Sequence, residues 1–324
     1  MPHTDTIVDL HCHIFPAEAA GRAGTSISVT LEGDAYRYVA GSRSMLLEDG
    51  LVNLDAQVED MRQQGVGLRA LAPPPFTLNY ELPAAEGVRW ARAINDGIAE
   101  AVAGHPEHFV GFATLPLQDV GASVTELARA IETLGLRGIE IATNINGVEL
   151  DDPALEPFWE EANGLNVPIL VHPWHNVGPS RMGEYYLSNL IGNPVETALA
   201  GSRLIFGGVL ERYPGLKIIL SHGGGALPHL VGRLRHGHKV RDEPKLRAAA
   251  PIKHIRRLYY DTVVFDPLML RHMVETVGAE QVTLGTDYPF DMGEPDPVGF
   301  VRGSGLSDAD IETILGNGAR LLGM

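Results

Sequence analysis

Eight short apolar runs, the helical patterns between them and a length of 324 residues predict an α/β chain folded as a (β/α)8 TIM-like barrel. The runs are rich in Val, Ile and Leu, as strands buried on both faces are. Thr6–Leu10 comes first, and its helix, Asp55–Gln64, follows a long irregular stretch. Gly67–Leu71 precedes the helical pattern Glu86–Ala103, and Phe109–Leu115 precedes Ala122–Leu134. Gly138–Ala142 precedes Pro153–Leu165, and Val167–Val171 precedes Asn189–Arg212. Lys217–Ser221 leads to Gly225–Arg235, and Leu258–Val263 to Pro267–Val277. Gln281–Gly285 leads to Ser307–Leu322, where Asp308, Asp310 and Glu312 put negative charge near the helix start, as the helix dipole favours. Periodicity alone leaves a doubly wound sheet open.

The length suits one large barrel, so residues 1–324 are read as a single domain. Within it, residues 15–54 (Phe15–Leu54) form an insertion after the first strand. Ser26–Leu31 and Ala35–Val39 alternate in polarity around Glu32-Gly33-Asp34, which predicts a hairpin. In a barrel that insertion lies over the catalytic face, as a lid. The charged stretch His236–Pro251 reads as a second exposed excursion.

Twenty-five Lys and Arg against 41 Asp and Glu give a formal charge of −16. That disfavours nucleic acid and anionic membranes as partners, since both require basic surface. Cys12 is the single cysteine, so no intramolecular disulfide forms. Met1–Val8 lacks the pattern of a signal peptide, and no apolar run approaches the roughly 18–20 residues of a membrane helix. A cytoplasmic protein is the expectation.

Chemistry concentrates at the carboxyl ends of the predicted strands. His11-Cys12-His13 follows the first, and residues two apart on a strand face one side, so both imidazoles can reach one ion. His172, His222 and Asp287 follow the fifth, sixth and eighth strands. In a barrel these ends converge on the face where active sites form. Imidazole and carboxylate suit zinc and related divalent ions. The bland alternative is a set of separately hydrogen-bonded histidines and a capping Asp. Cys12 points the other way by strand alternation. Trp174 and His175 follow His172, and Phe290 follows Asp287. Met182, Tyr186, Phe76 and Phe290 are candidate apolar walls. Glu140 and Glu32 are alternative acidic ligands, with Glu140 more readily a structural group.

The motifs DLHCHIFP, VHPW, LSHGGGALPHLVGRLRHG and LGTDYPF resemble those of the amidohydrolase superfamily, in its aminocarboxymuconate semialdehyde decarboxylase-like branch. The resemblance spans nearly the whole chain. It implies a barrel of the amidohydrolase type with one zinc ion held by His11, His13, His172 and Asp287. It implies His222 as the acid/base group, working with water that the metal makes acidic. The predicted fourth strand has no lysine, which disfavours a two-metal site bridged by carboxylated lysine. It further implies that Arg37 holds the substrate carboxylate, with Arg43 as competitor, and that Arg241 reaches into a neighbouring subunit of a homodimer. Arg233 reads as structural. Asn189 stands where the family has tryptophan, and His175 where it has an acidic residue. The implied activity is non-oxidative decarboxylation of a small unsaturated or aromatic acid, such as a muconate semialdehyde or hydroxybenzoate. A metal-dependent hydrolase or hydratase is the alternative from the same ligand set.

Overall fold

The computed structural model describes residues 6–245, 247 and 251–324. Eight parallel strands follow one another around a barrel. They are β1 (Val8–His13), β2 (Leu68–Ala72), β3 (Phe109–Ala113), β4 (Gly138–Ala142), β5 (Pro168–His172), β6 (Lys217–Leu220), β7 (Tyr259–Asp261) and β8 (Val282–Thr283). Closure comes from Leu10 N donating to Leu284 O at 3.1 Å and His13 N to Tyr288 O at 2.8 Å. The order settles the choice left by periodicity: each strand pairs with its sequence neighbour, whereas a doubly wound sheet would reverse order partway.

Eight main helices alternate with the strands: α1 (Leu54–Gln64), α2 (Ala84–Gly104), α3 (Val120–Ala128), α4 (Glu156–Leu165), α5 (Asn193–Phe206), α6 (Leu227–Val240), α7 (Pro267–Val277) and α8 (Asp308–Leu321). Their starts are chemically marked. Asn53, Asp119, Asp266 and Ser307 each accept a backbone N–H at the first turn of α1, α3, α7 and α8. Leu10, Ala70, Phe112, Leu170 and Ile219 form one buried cluster with Leu321 and Leu322. Side chains from five strands meet in this way only inside a barrel, so the interior is packed.

Several boundaries differ from the sequence expectation. β1 runs on to His13 and β5 to His172, so these histidines are strand residues rather than loop residues. β1 also carries one extra residue between Asp9 and Cys12, a bulge that re-aims the side chains beyond it. The expected helix Asn189–Arg212 is broken at Gly207-Gly208, because Gly208 is left-handed (φ +74°) and a Cβ there would meet Arg247 O at 2.2 Å. The predicted excursion His236–Pro251 begins as helix, since α6 continues to Val240; its residues 246 and 248–250 lie outside the described residues. The insertion holds three antiparallel strands rather than two, Ser28–Glu32, Ala35–Ala40 and Arg43–Leu46. Its inner anchor is Tyr38, buried against Phe15, Phe76 and Trp90, with its hydroxyl donating to Asn79 Oδ1 at 2.9 Å.

Candidate metal centre and active site

The carboxyl ends of the strands bring four groups together. His11 and His13 from β1, His172 from β5 and Asp287 beyond β8 are all buried. Each offers a ligand atom within 4.8 Å of the others. His11 Nε2 lies 3.2 Å, His13 Nε2 3.1 Å and His172 Nε2 3.8 Å from Asp287 Oδ1. His11 Nε2 and His172 Nε2 are buried without a hydrogen-bond partner, although Asp287 is near. Buried polar atoms are normally satisfied. Two orphaned imidazole nitrogens converging with a carboxylate fit a divalent ion, and three imidazoles plus one carboxylate is a donor set zinc and its neighbours accept.

Electrostatics agree. Burial drives the carboxyl of Asp287 up, but the charge on His11 and the close approach of the His11, His13 and His172 rings hold it well below the usual carboxylate range. Burial lowers His172 to about 3, against the pull of Asp287, and lowers His13. Both are therefore neutral near pH 7, the form a metal needs. In His11 burial also acts downward, but Asp287 and Asp261 outweigh it and raise the group well above its ordinary value.

His222 leaves β6 into a tight turn in which residues 222–225 all have positive φ. Three of these four are glycines, which tolerate that conformation. The turn aims His222 Nε2 at Asp287 Oδ2, 3.3 Å away, while Nδ1 lies 3.2 Å from Ser221 Oγ.

Asp261, at the end of β7, is the residue that sequence reasoning missed. Its Oδ2 lies 2.6 Å from His11 Nδ1 and accepts the backbone N–H of His222 at 2.8 Å. Its Oδ1 accepts from Gly223 N at 2.8 Å and Val263 N at 3.0 Å. One carboxylate thus orients the His11 imidazole and the loop that carries His222 together. The available signal was an acidic residue inside the otherwise apolar run Leu258–Val263, the seventh predicted strand. Glu140 on β4 is also fully buried; its Oε2 lies 3.6 Å from His13 Nδ1, behind the ligand set rather than in it. Glu32 is no ligand: it is exposed on the insertion and pairs with Arg37. Cys12 is a buried free thiol whose Sγ donates to Ala70 O at 3.3 Å, away from the site.

A cavity of about 580 Å³ reaches His172 and Asp287 from outside, bordered by Trp174, His175, Phe290, Phe76, Tyr186 and Asn189. The Phe290 ring lies 5.1 Å from that of His13. Met182 is not among the bordering residues. Arg37 points to Glu32 at 2.7 Å and to Ser44. Arg43 stands nearer: it donates to Phe76 O at 3.1 Å and Asn79 Oδ1 at 2.9 Å, pairs with Glu81, and lies 5.4 Å from the Trp174 ring. Arg241 is two-thirds exposed at the end of α6 and pairs with Glu243. Arg233 is exposed.

A barrel whose strand ends carry HxH, two further histidines and an aspartate around one ion site defines a metal-dependent amidohydrolase. The chain belongs to that family: the amidohydrolase family model matches residues 8–324. Among its relatives is 2-amino-3-carboxymuconate-6-semialdehyde decarboxylase of Dictyostelium discoideum, 36% identical over 96% of this chain and 90% of the relative. The structure of 2,6-dihydroxybenzoate decarboxylase from Rhizobium superposes with a TM-score of 0.82 at 26% identity, over 98% of each chain. Dihydroxybenzoic acid decarboxylase from Polaromonas sp. JS666, with bound manganese and the inhibitor 2-nitroresorcinol, gives 0.81 at 25% identity over 98% of this chain and 97% of that one.

Proposed function

We propose that this protein is a zinc-dependent decarboxylase of small unsaturated or aromatic carboxylic acids. The observation that carries the reading is His222 Nε2, 3.3 Å from Asp287, beside a three-histidine, one-aspartate cluster at the floor of a 580 Å³ cavity. The relatives named above, all decarboxylases, support it.

His11, His13, His172 and Asp287 would hold the ion, which would supply Lewis acidity toward a substrate oxygen. Trp174, His175 and Phe290 border the acid and exclude water from it. The carbon–carboxylate bond breaks, its electron pair stays on the substrate carbon, and carbon dioxide leaves. His222 holds the compensating proton at Nε2 and delivers it to that carbon. Asp287 keeps the imidazole aimed, and Asp261 fixes the loop that carries it. The three-stranded insertion serves as the lid, with Met45, Leu46 and Leu47 bordering the cavity.

The test is a carbon-dioxide-release screen over small unsaturated and hydroxylated aromatic acids, run with metal analysis. Hydrolysis without carbon dioxide would sink the reading. Manganese or another ion bound at full activity, in place of zinc, would correct the metal. His222→Gln is expected to keep its metal and lose turnover by a factor on the order of 10²–10⁴.

The carboxylate grip belongs to an arginine of the insertion and to Arg241 of a second subunit in a homodimer. Arg43 has the better position for it, behind the cavity wall; Arg37 faces Glu32. The larger rise in KM between Arg37→Ala and Arg43→Ala identifies the gripping residue. Mixing that inactive variant with inactive Arg241→Ala restores activity if the two serve one shared site. Verified mixed dimers without recovery would refute the shared site. A cytoplasmic location belongs to the same reading.

A further inference from the structure

We infer that the space on the far side of His222 is a subsite for an uncharged apolar branch of the substrate acid, with Phe265 at its outer edge. The inference rests on the decarboxylase reading above and narrows its substrate class.

A second cavity, of about 320 Å³, opens against His222. Asn189, Asn193 and Met292 border both it and the larger cavity. The two lobes therefore adjoin beside the ion site, with His222 bordering one and His172 and Asp287 the other. The walls of the smaller lobe differ in kind. Leu190, Pro194, Val263, Val264, Phe265 and Met269 supply most of them. Its polar members are the two asparagines, His229 and His222 itself, and among the described residues no Lys, Arg, Asp or Glu borders it. A second carboxylate placed there would lose its hydration with no lysine or arginine to replace it, a costly transfer. An alkyl or alkenyl branch loses nothing and gains burial.

Phe265 makes the edge. It sits at φ +58°, a conformation rare for a bulky side chain. Turn bonds hold it there: Val264 N donates to Thr262 O at 2.9 Å and Asp266 N to Val264 O at 2.8 Å. Asp266 in turn caps α7 through Leu268 N at 2.7 Å. The ring stays half exposed while bordering the lobe. Strain of this sort is found where a side chain must stand at a site. A branch seated between Phe265 and Met269 would place the neighbouring reacting carbon beside His222 Nε2. Binding energy remote from the chemistry is thereby used for orientation.

The test compares hydroxybenzoates carrying hydrogen, methyl, ethyl or propyl on the ring, using the metal-loaded protein. The expected result is a kcat/KM that rises about fourfold per buried methylene until the lobe is full. Met269→Trp, which fills the lobe, is expected to flatten the series, and Phe265→Ala, at the exposed edge, to reduce its slope. Calorimetric binding of the matching phenols, which have no carboxylate to lose, should show the same trend without turnover. A flat series in the wild-type protein, or an unchanged slope in both variants, overturns the subsite. Carbon dioxide with a flat series leaves the decarboxylase reading standing and the subsite false. A phenol trend with no carbon dioxide from any acid leaves the subsite standing and the reading false.

Discussion

Asp261 binds the site together at the scale of single residues. It accepts four hydrogen bonds, one involving the His11 ring and three from the backbone of the loops that carry His222 and Val263. A carboxylate at Nδ1 fixes the imidazole tautomer and leaves Nε2 free to bind an ion. Asp261→Asn is therefore expected to weaken metal retention roughly 10–100-fold, read by competition with a chelator, with circular dichroism unchanged. The same electrostatics set a proton count. His11 is raised well above its ordinary value, which favours its protonated form in metal-free protein. Metal needs it neutral, so loading at pH 7 should release protons, and affinity should fall as pH falls. A pH indicator in weakly buffered solution measures the release; loading without it would mean that His11 is already neutral.

Two irregularities do the positioning at the scale of elements. The bulge in β1 lies where the strand passes from Asp9, a structural carboxylate, to the two metal-site histidines. The turn after β6 places four residues in succession at positive φ. Gly225 is its tightest point, where a Cβ would meet Pro194 O at 2.2 Å. Gly225→Ala must push α5 away or unwind the turn. The expected cost is roughly 1–3 kcal/mol of stability, measured by denaturant unfolding, with a drop in turnover because His222 moves with the turn. Gly33, at the hairpin tip, has open space around it, so a substitution there meets only the strain of its φ of +64°. That contrast checks that close approach, beyond backbone angle, is the cause.

The closed barrel is the feature of the whole molecule on which the site depends. Arg69, fully buried, donates to Asp9 Oδ2 at 3.2 Å, Asp60 Oδ2 at 3.0 Å and Gln64 Oε1 at 2.6 Å. Asp9 also accepts from Thr286 Oγ1 at 2.6 Å. The first strand, the second strand, α1 and the segment after β8 are thereby tied at one point, directly beneath His11. Arg69→Leu leaves Asp9 buried without its cation, and losing one partner of a buried pair costs about 3–5 kcal/mol. Denaturant unfolding measures that loss. A change under about 1 kcal/mol would show that Thr286 and the backbone alone satisfy Asp9. No described helix is long and apolar enough to cross a membrane.

What the sequence determined by itself was the series of strands and the ligands at their ends. Buried parallel strands are continuous apolar runs, and a polar residue ending such a run stands out, which is why His11, His13, His172, His222 and Asp287 were legible. Their meeting depended on topology, and periodicity carries no record of strand order. Asp261 escaped because one acidic residue at a strand end has many ordinary uses; its role exists only once β7 lies beside β6 and β1 is folded back against β8. The arginines escaped for a related reason. A guanidinium on a long side chain can serve a substrate or a nearby carboxylate, and the partner that decides comes from elsewhere in the chain: Glu32 for Arg37, Glu81 and Asn79 for Arg43. The apolar lobe beside His222 is wholly tertiary, since its walls come from the segments after four different strands. Local spacing records what a strand must bury, whereas only packing records which strands become neighbours.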